Sequence, residues 1–328
     1  MDIEQEQAHN LDIFGVIKES INVVVSWKTI FSQITLLHIF PLSIIFLSHI
    51  YISEWLFGEI LYDEDLLLFT REGSPTYNDI VDLIHTEKML FLIFTILYYI
   101  FVIIFSLIST SAVVYTIACI YTAKELTFRK LMRVVPRVWQ RLMVTFMWSS
   151  FVVFAYNIAS CFVLVFAINI GAITDGWGLM IFLITYLTGF AYIGIVWQLA
   201  CVISVLEDIS GIQAISKSKD LIQGKTMVAG TIYVLVNTSF AGIQLETVML
   251  GPDPMQQWGN ISAYAILCVA LVVLILFGLV SQTIIYFVCK SYHHEVIDKP
   301  SLADHLEEFT GEYMPLLDRD VQLGKIPA

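Results

Sequence analysis

Residues 89–122, MLFLIFTILYYIFVIIFSLISTSAVVYTIACIYT, run without one Asp, Glu, Lys or Arg, and this stretch decides the fold class. A helix needs only about 20 apolar residues to cross a hydrocarbon layer of roughly 30 Å. Comparable runs lie outward from it, near 30–52, 143–170, 179–205, 226–249 and 261–289. The reading is an all-α integral membrane protein with six transmembrane helices. Composition agrees: 58% of residues are hydrophobic, 14% are charged, and mean hydropathy is +0.78. Soluble domains run about 25% charged.

The cations orient these runs. Fifteen of the seventeen Lys and Arg residues fall on one side of the six segments, and only Arg71 and Lys88 fall on the other. Cationic flanks are retained on the cytoplasmic side, so both termini are expected in the cytosol, with residues 53–88, 171–178 and 250–260 outside. The first run follows an acidic start (Asp2, Glu4, Glu6, Asp12) that lacks the basic region and cleavage site of a signal peptide. Trp27, Trp55, Trp139, Trp177 and Trp258 fall at the expected interfaces, where an apolar ring bearing one N–H is well placed. The predicted domains are a cytosolic N-terminus (1–29), a six-span membrane domain (30–289) and an acidic cytosolic tail (290–328). An endomembrane or the plasma membrane is the expected location.

The net charge of −12 comes largely from nine acids in residues 53–88 and eight after Cys289, which sets against a nucleic-acid partner. All five cysteines lie in spans or at their ends, so no disulfide framework is implied. Cys119 and Cys289 lie near the cytosolic surface, either as small buried residues or as acylation sites.

The inner connectors share a design. Before the first span, Phe14, Ile17, Ile21, Val24 and Trp27 recur at steps of three and four, with Lys18, Glu19 and Asn22 between them. In the first inner loop Phe128, Leu131, Val135, Val138 and Leu142 are apolar, while Lys130, Arg133, Arg137 and Arg141 form a cationic stripe at the same spacing. The second inner loop alternates Ile209, Ile212, Ile215 and Ile222 with Lys217, Lys219, Asp220 and Lys225. The pattern predicts three hairpins, each preceded by a cytosolic amphipathic helix. Such a helix either lies on anionic headgroups or caps the bundle, and the four cations of 130–141 are the lipid-contact candidates. Pro136 is expected to kink its helix.

Ionisable residues at depth mark chemistry or ion coupling in a membrane protein, and these spans hold almost none. Their polar content centres on His38, Asn157, Gln198, Asn237 and Gln282. His38 precedes Pro41 by less than one turn and suits a local or interhelical hydrogen bond better than a metal. The four amides sit one per span in the last four spans, where they either bond between helices or line a polar path. His293, His294, Glu295, Asp298, Asp304 and His305 are ligand-type residues, but adjacent histidines lack the spacing of a helical metal site. No phosphate loop, nucleophile elbow or zinc motif occurs, so neither an enzyme nor a cofactor is expected. Of two glycosylation sequons, Asn237-Thr238-Ser239 lies in a span and Asn260-Ile261-Ser262 abuts one.

In the tail, Glu312-Tyr313-Met314-Pro315-Leu316-Leu317 places an acid four positions before a Leu-Leu pair, and a Tyr three before a bulky apolar residue. Both are patterns that extended peptides present to coat adaptors. Glu312, Tyr313, Leu316 and Leu317 are therefore candidates for sorting, or for docking back on the bundle.

With Cys289 to Lys299 (CKSYHHEVIDK), Asp304-His305-Leu306, Gly311 to Leu316 (GEYMPL), Gly15 to Ser20 (GVIKES) and Ser26-Trp27-Lys28, the chain resembles an uncharacterised family of plant multi-span membrane proteins along essentially its whole length. The resemblance implies that Tyr313 and its neighbours belong to a shared structural or docking element. Residues 211–218 through Gly224-Lys225 are similar to the amphipathic segment of bacterial six-span domains, some of which accompany glycerophosphodiesterases. That similarity carries no catalytic residue.

Together these readings point to a non-enzymatic protein that organises membranes or traffics within them. Its expected partners are anionic lipids on the cytosolic side and a cytosolic adaptor at the tail. The alternative is a transporter or channel for a small or lipidic solute.

Overall fold

A computed structural model describes residues 12–122, 128–171, 176–251 and 257–293, and among these every regular element is a helix. In chain order they are α1 (Ile13–Ser26), α2 (Lys28–Ile34), a π-helical turn (Thr35–Ile39), α3 (Phe40–Phe69), α4 (Pro75–Tyr121), α5 (Phe128–Asn169), α6 (Gly176–Leu206), α7 (Ile212–Leu221), α8 (Thr226–Leu250) and α9 (Gln257–Tyr292). Six stretches are long and apolar enough to cross a membrane: the α2–α3 run, α4, α6, α8, and the parts of α5 and α9 from Val138 and Ile261 onward. The protein is an all-α membrane-embedded chain.

The π turn has a local cause. Pro41 has no N–H and its ring crowds the carbonyl one turn back, so the helix widens before it and resumes as α3 with Pro41 in its first turn. His38 is brought inside by that turn. Pro136, by contrast, lies within α5 without ending it.

Two elements are longer than the apolar runs suggested. The acidic segment 53–88 is helical except for the connection at 70–74, because α3 and α4 continue past the apolar layer and pack on each other. At 47 residues α4 measures about 70 Å, more than twice a hydrocarbon layer. Ser74 caps it: the Tyr77 N–H donates to Ser74 Oγ at 3.1 Å, and Pro75 fills the first helical position. Ile60 and Ile84 are buried on the extension, and Lys88 donates to Glu64 at 2.6 Å. The connector at 128–142 is likewise no separate helix, since it continues without a break into a span as α5.

Burial is concentrated at one end, where α1, the start of α5 and α7 meet the ends of α4, α6 and α9. Leu107–Cys119 of α4, Gly194–Leu206 of α6 and Val280–Cys289 of α9 are largely buried, together with Leu131, Val134, Val138 and Leu142 of α5. This connector end holds the core. The opposite halves of the spans expose large apolar side chains such as Leu92, Phe101, Phe162, Phe166 and Ile184, a surface suited to lipid tails, which are as apolar as Leu.

Two connector helices turn an unexpected face inward. α1 buries Val16, Ser20 and Val23 and leaves Phe14 85% exposed, with Ile21 and Trp27 also outside. α7 buries Ala214, Ser218 and Leu221 and leaves Ile212 exposed. Close packing favours the small residues, and the larger apolar ones are displaced outward.

Candidate functional site

The connector end is organised by Glu207, the first residue after α6. Tyr286 and Lys290 stand one turn apart on α9, so both reach the same point. Tyr286 Oη donates to Glu207 Oε1 at 2.7 Å and Lys290 Nζ to the same oxygen at 3.0 Å. From α7, Lys217 Nζ donates to Glu207 Oε2 at 2.6 Å. Both carboxylate oxygens are occupied, and three helices meet on one side chain that is only 16% exposed. Burial alone would push this carboxyl up, but hydrogen bonds from Lys217 and Tyr286 and the charge of Lys290 hold it below its ordinary value. Glu207 is therefore an anion at neutral pH.

A second set of contacts closes the same end. Arg141 of α5 pairs with Asp208. Thr145 Oγ1 lies 2.6 Å from Ser204 Oγ and accepts from the Gly211 N–H at 2.8 Å, which fixes the start of α7 against α5 and α6. Ser218 Oγ donates to the Val196 carbonyl at 2.7 Å from the middle of α7. At the far end Gly224 adopts φ +89°, and a Cβ there would lie 2.3 Å from the Tyr292 ring. Lys225 Nζ sits 5.5 Å from the centre of that ring, and His293 Nε2 is 3.0 Å from the Gln223 carbonyl. The end of α9 is thereby tied to the α7–α8 junction. α1 joins through Ser20 Oγ, 3.2 Å from Ser281 Oγ.

The residues singled out in the sequence scatter. Lys130 is half-buried, Arg133 exposed, Arg141 engaged with Asp208, and the Arg137 side chain lies outside the described residues. Of the amides, Asn157 donates to the Val153 carbonyl and accepts from Tyr186 Oη at 2.9 Å, inside the α5–α6 pair. Gln198 stands twelve residues from Tyr186 on α6, about 18 Å along the axis. Asn237 is exposed and bonded back to the Tyr233 carbonyl, while Gln282 is buried on α9. Among the described residues no hydrogen bond joins any two of these four amides. His38 is 6% exposed, and among the described residues its Nδ1 has no hydrogen-bond partner. Glu312, Tyr313, Leu316 and Leu317 lie outside the described residues. Among the described residues no group of three His, Cys, Asp or Glu side chains is placed to hold a metal. Cys119 and Cys289 are buried.

Sequence reasoning passed over Glu207 and Tyr286. The available signal was local: an acid at a span end between two cationic connectors, and a Tyr four residues before a Lys. Their meeting across some eighty residues of chain was not legible.

The match to known families covers nearly everything. A family model described as Domain of unknown function (DUF8558) matches residues 1–326. No curated protein and no solved structure matches the chain. The comparisons show no plant source and no likeness to the domains that accompany glycerophosphodiesterases. What they do show is membership: this chain belongs to the DUF8558 family.

Proposed function

We propose that this is a non-enzymatic membrane protein that organises or traffics within a eukaryotic membrane, with its connector end in the cytosol and against anionic lipid. The observation that carries the reading is the surface of that end. Apolar side chains Phe14, Ile21, Val25, Ile212 and Met227 are exposed there, and exposed cations Lys18, Lys28, Arg133 and Lys219 belong to the same or adjoining connectors. A helix fixed to a bundle by one face and apolar on another is suited to lie in the headgroup plane. The excess of Lys and Arg at this end supports a cytosolic orientation.

The tail supplies the protein partner in this reading, with Glu312, Tyr313, Leu316 and Leu317 offered to a coat adaptor. A plant source fits the resemblance of the tail block. Transport has less behind it, because a polar path needs convergent groups, and Asn157 is bonded within the α5–α6 pair while Asn237 is bonded back to its own helix.

The test uses the intact protein in nanodiscs that mix phosphatidylserine with phosphatidylcholine. Replacing Lys18, Arg133 and Lys219 by Ala should lower the phosphatidylserine retained on purification by about 1 kcal/mol, roughly fivefold, per cation. Equal retention by the triple variant and the parent would defeat the reading.

A further inference from the structure

Beyond that reading, and on the α3–α4 extension, we infer that the face of α3 around Gly58 binds a quaternary ammonium group, carried either by a choline headgroup or by free choline. A pocket of about 450 Å³ is lined there by Glu54, Trp55, Gly58, Glu59 and Tyr62. These positions recur at steps of three and four, so they share one face of the helix. Gly58 makes the hollow: apart from its own turn of helix, no atom lies within 4 Å of a Cβ placed there. The apolar run of α3 ends at Ile52, and Glu54 is the first acid after it. The pocket therefore opens at the margin of the apolar layer, where headgroups lie.

Charge and ring chemistry choose the ligand. The lining holds two carboxylates and no cation, and Lys88, the nearest lysine in the chain across the hairpin, is taken up by Glu64 at 2.6 Å. Glu54 Oε2 is buried and, among the described residues, has no hydrogen-bond partner. Asp63, one turn beyond Glu59, is 9% exposed, and its charge and that of Glu59 bear on Glu87 of α4, so negative charge extends behind the pocket. A cation is what this wall lacks. The rings then select its kind. A group seated over Gly58 is about 4.5 Å along the axis from the Cα of Trp55 and about 6 Å from that of Tyr62. Both side chains are exposed, and the face of an aromatic ring attracts a cation within about 6 Å of its centre. Such faces suit a weakly hydrated alkylammonium better than a metal ion, which keeps its water. Among the described residues no three His, Cys, Asp or Glu side chains are placed to hold a metal.

The test uses the full chain in nanodiscs of phosphatidylcholine and phosphatidylglycerol, with two readouts: phosphatidylcholine retained on transfer to detergent, and binding of radiolabelled choline. Gly58→Leu fills the hollow with a better helix former, so it should leave the unfolding temperature in place and weaken binding about tenfold. Trp55→Leu removes one ring and should weaken binding about fivefold. Glu54→Gln combined with Glu59→Gln should weaken it further. These variants leave the connector end untouched, so the phosphatidylserine measurement above succeeds or fails separately. Loss of retained phosphatidylcholine without choline binding in the parent identifies the headgroup as the source; choline bound by the parent and lost in the variants identifies the free compound. Parent and Gly58→Leu alike on both readouts would overturn the site, and if Gly58→Leu unfolds, Trp55→Leu decides on the same readouts. Displacement of choline by its uncharged tert-butyl analogue as readily as by choline itself would also overturn it, because the hollow would then select shape and not charge.

Discussion

Glu207 and Glu64 are the same side chain placed at opposite ends of the molecule, and their surroundings are opposite. Glu64 meets one lysine, Lys88, at 2.6 Å on the α3–α4 extension, with the two side chains 45% and 53% exposed. Glu207 meets two lysines and a tyrosine and is 16% exposed. Water and salt screen the first pair, and they reach the second poorly. The difference teaches that the connector end is where charge is used to fix helices, whereas the extension carries charge mainly as a solvated surface.

The comparison breaks first at Glu207. Glu207→Gln removes the charge on which Lys217, Tyr286 and Lys290 converge and should cost about 3 kcal/mol of stability, read as a lowered unfolding temperature in detergent. Because the folded carboxyl titrates below its ordinary value, its contribution is present above about pH 4.5 and lost as pH falls through the lower folded value. The parent should lose stability in that acid window, and Glu207→Gln should lose correspondingly less; parallel acid curves would refute the assignment.

A smaller loss is expected at Gly224. Alanine there meets both a positive φ and the Tyr292 ring, so about 2 kcal/mol should be lost. Pairing it with Tyr292→Ala should relieve the steric part, and strict additivity of the two would show that the ring is not the obstacle. The smallest effect belongs to the extension. Glu64→Gln should change stability by less than about 1 kcal/mol, with half or more of that gone in 1 M salt. An effect matching that of Glu207→Gln would erase the contrast between the two ends.

Much of the architecture was legible because apolar length is a one-dimensional property. Residues 89–122 need no partner to be recognised as a span, and the run of Leu131, Val135, Val138 and Leu142 announced the buried face of α5 correctly. Where two faces compete, periodicity was insufficient. Phe14 and Ile21 share a helical stripe, yet α1 packs through Val16, Ser20 and Val23, because the choice depends on the shape of α9 opposite. The amides misled in a related way. Asn157 finds Tyr186 and Asn237 its own helix, and nothing in a single residue type says which.

Sequence alone determined that the chain has six stretches long and apolar enough to cross a membrane and that its cations fall between them on one side, since both follow from the cost of placing charge in hydrocarbon. Only the tertiary structure decided which of those charges are spent on the protein itself. Glu207 draws Lys217 and Lys290 inward, and Arg141 turns to Asp208, while Arg133 and Lys219 remain outside. The physical reason is that an ion pair depends on distances between helices distant in sequence, which the packing of the connector end sets and no local spacing encodes.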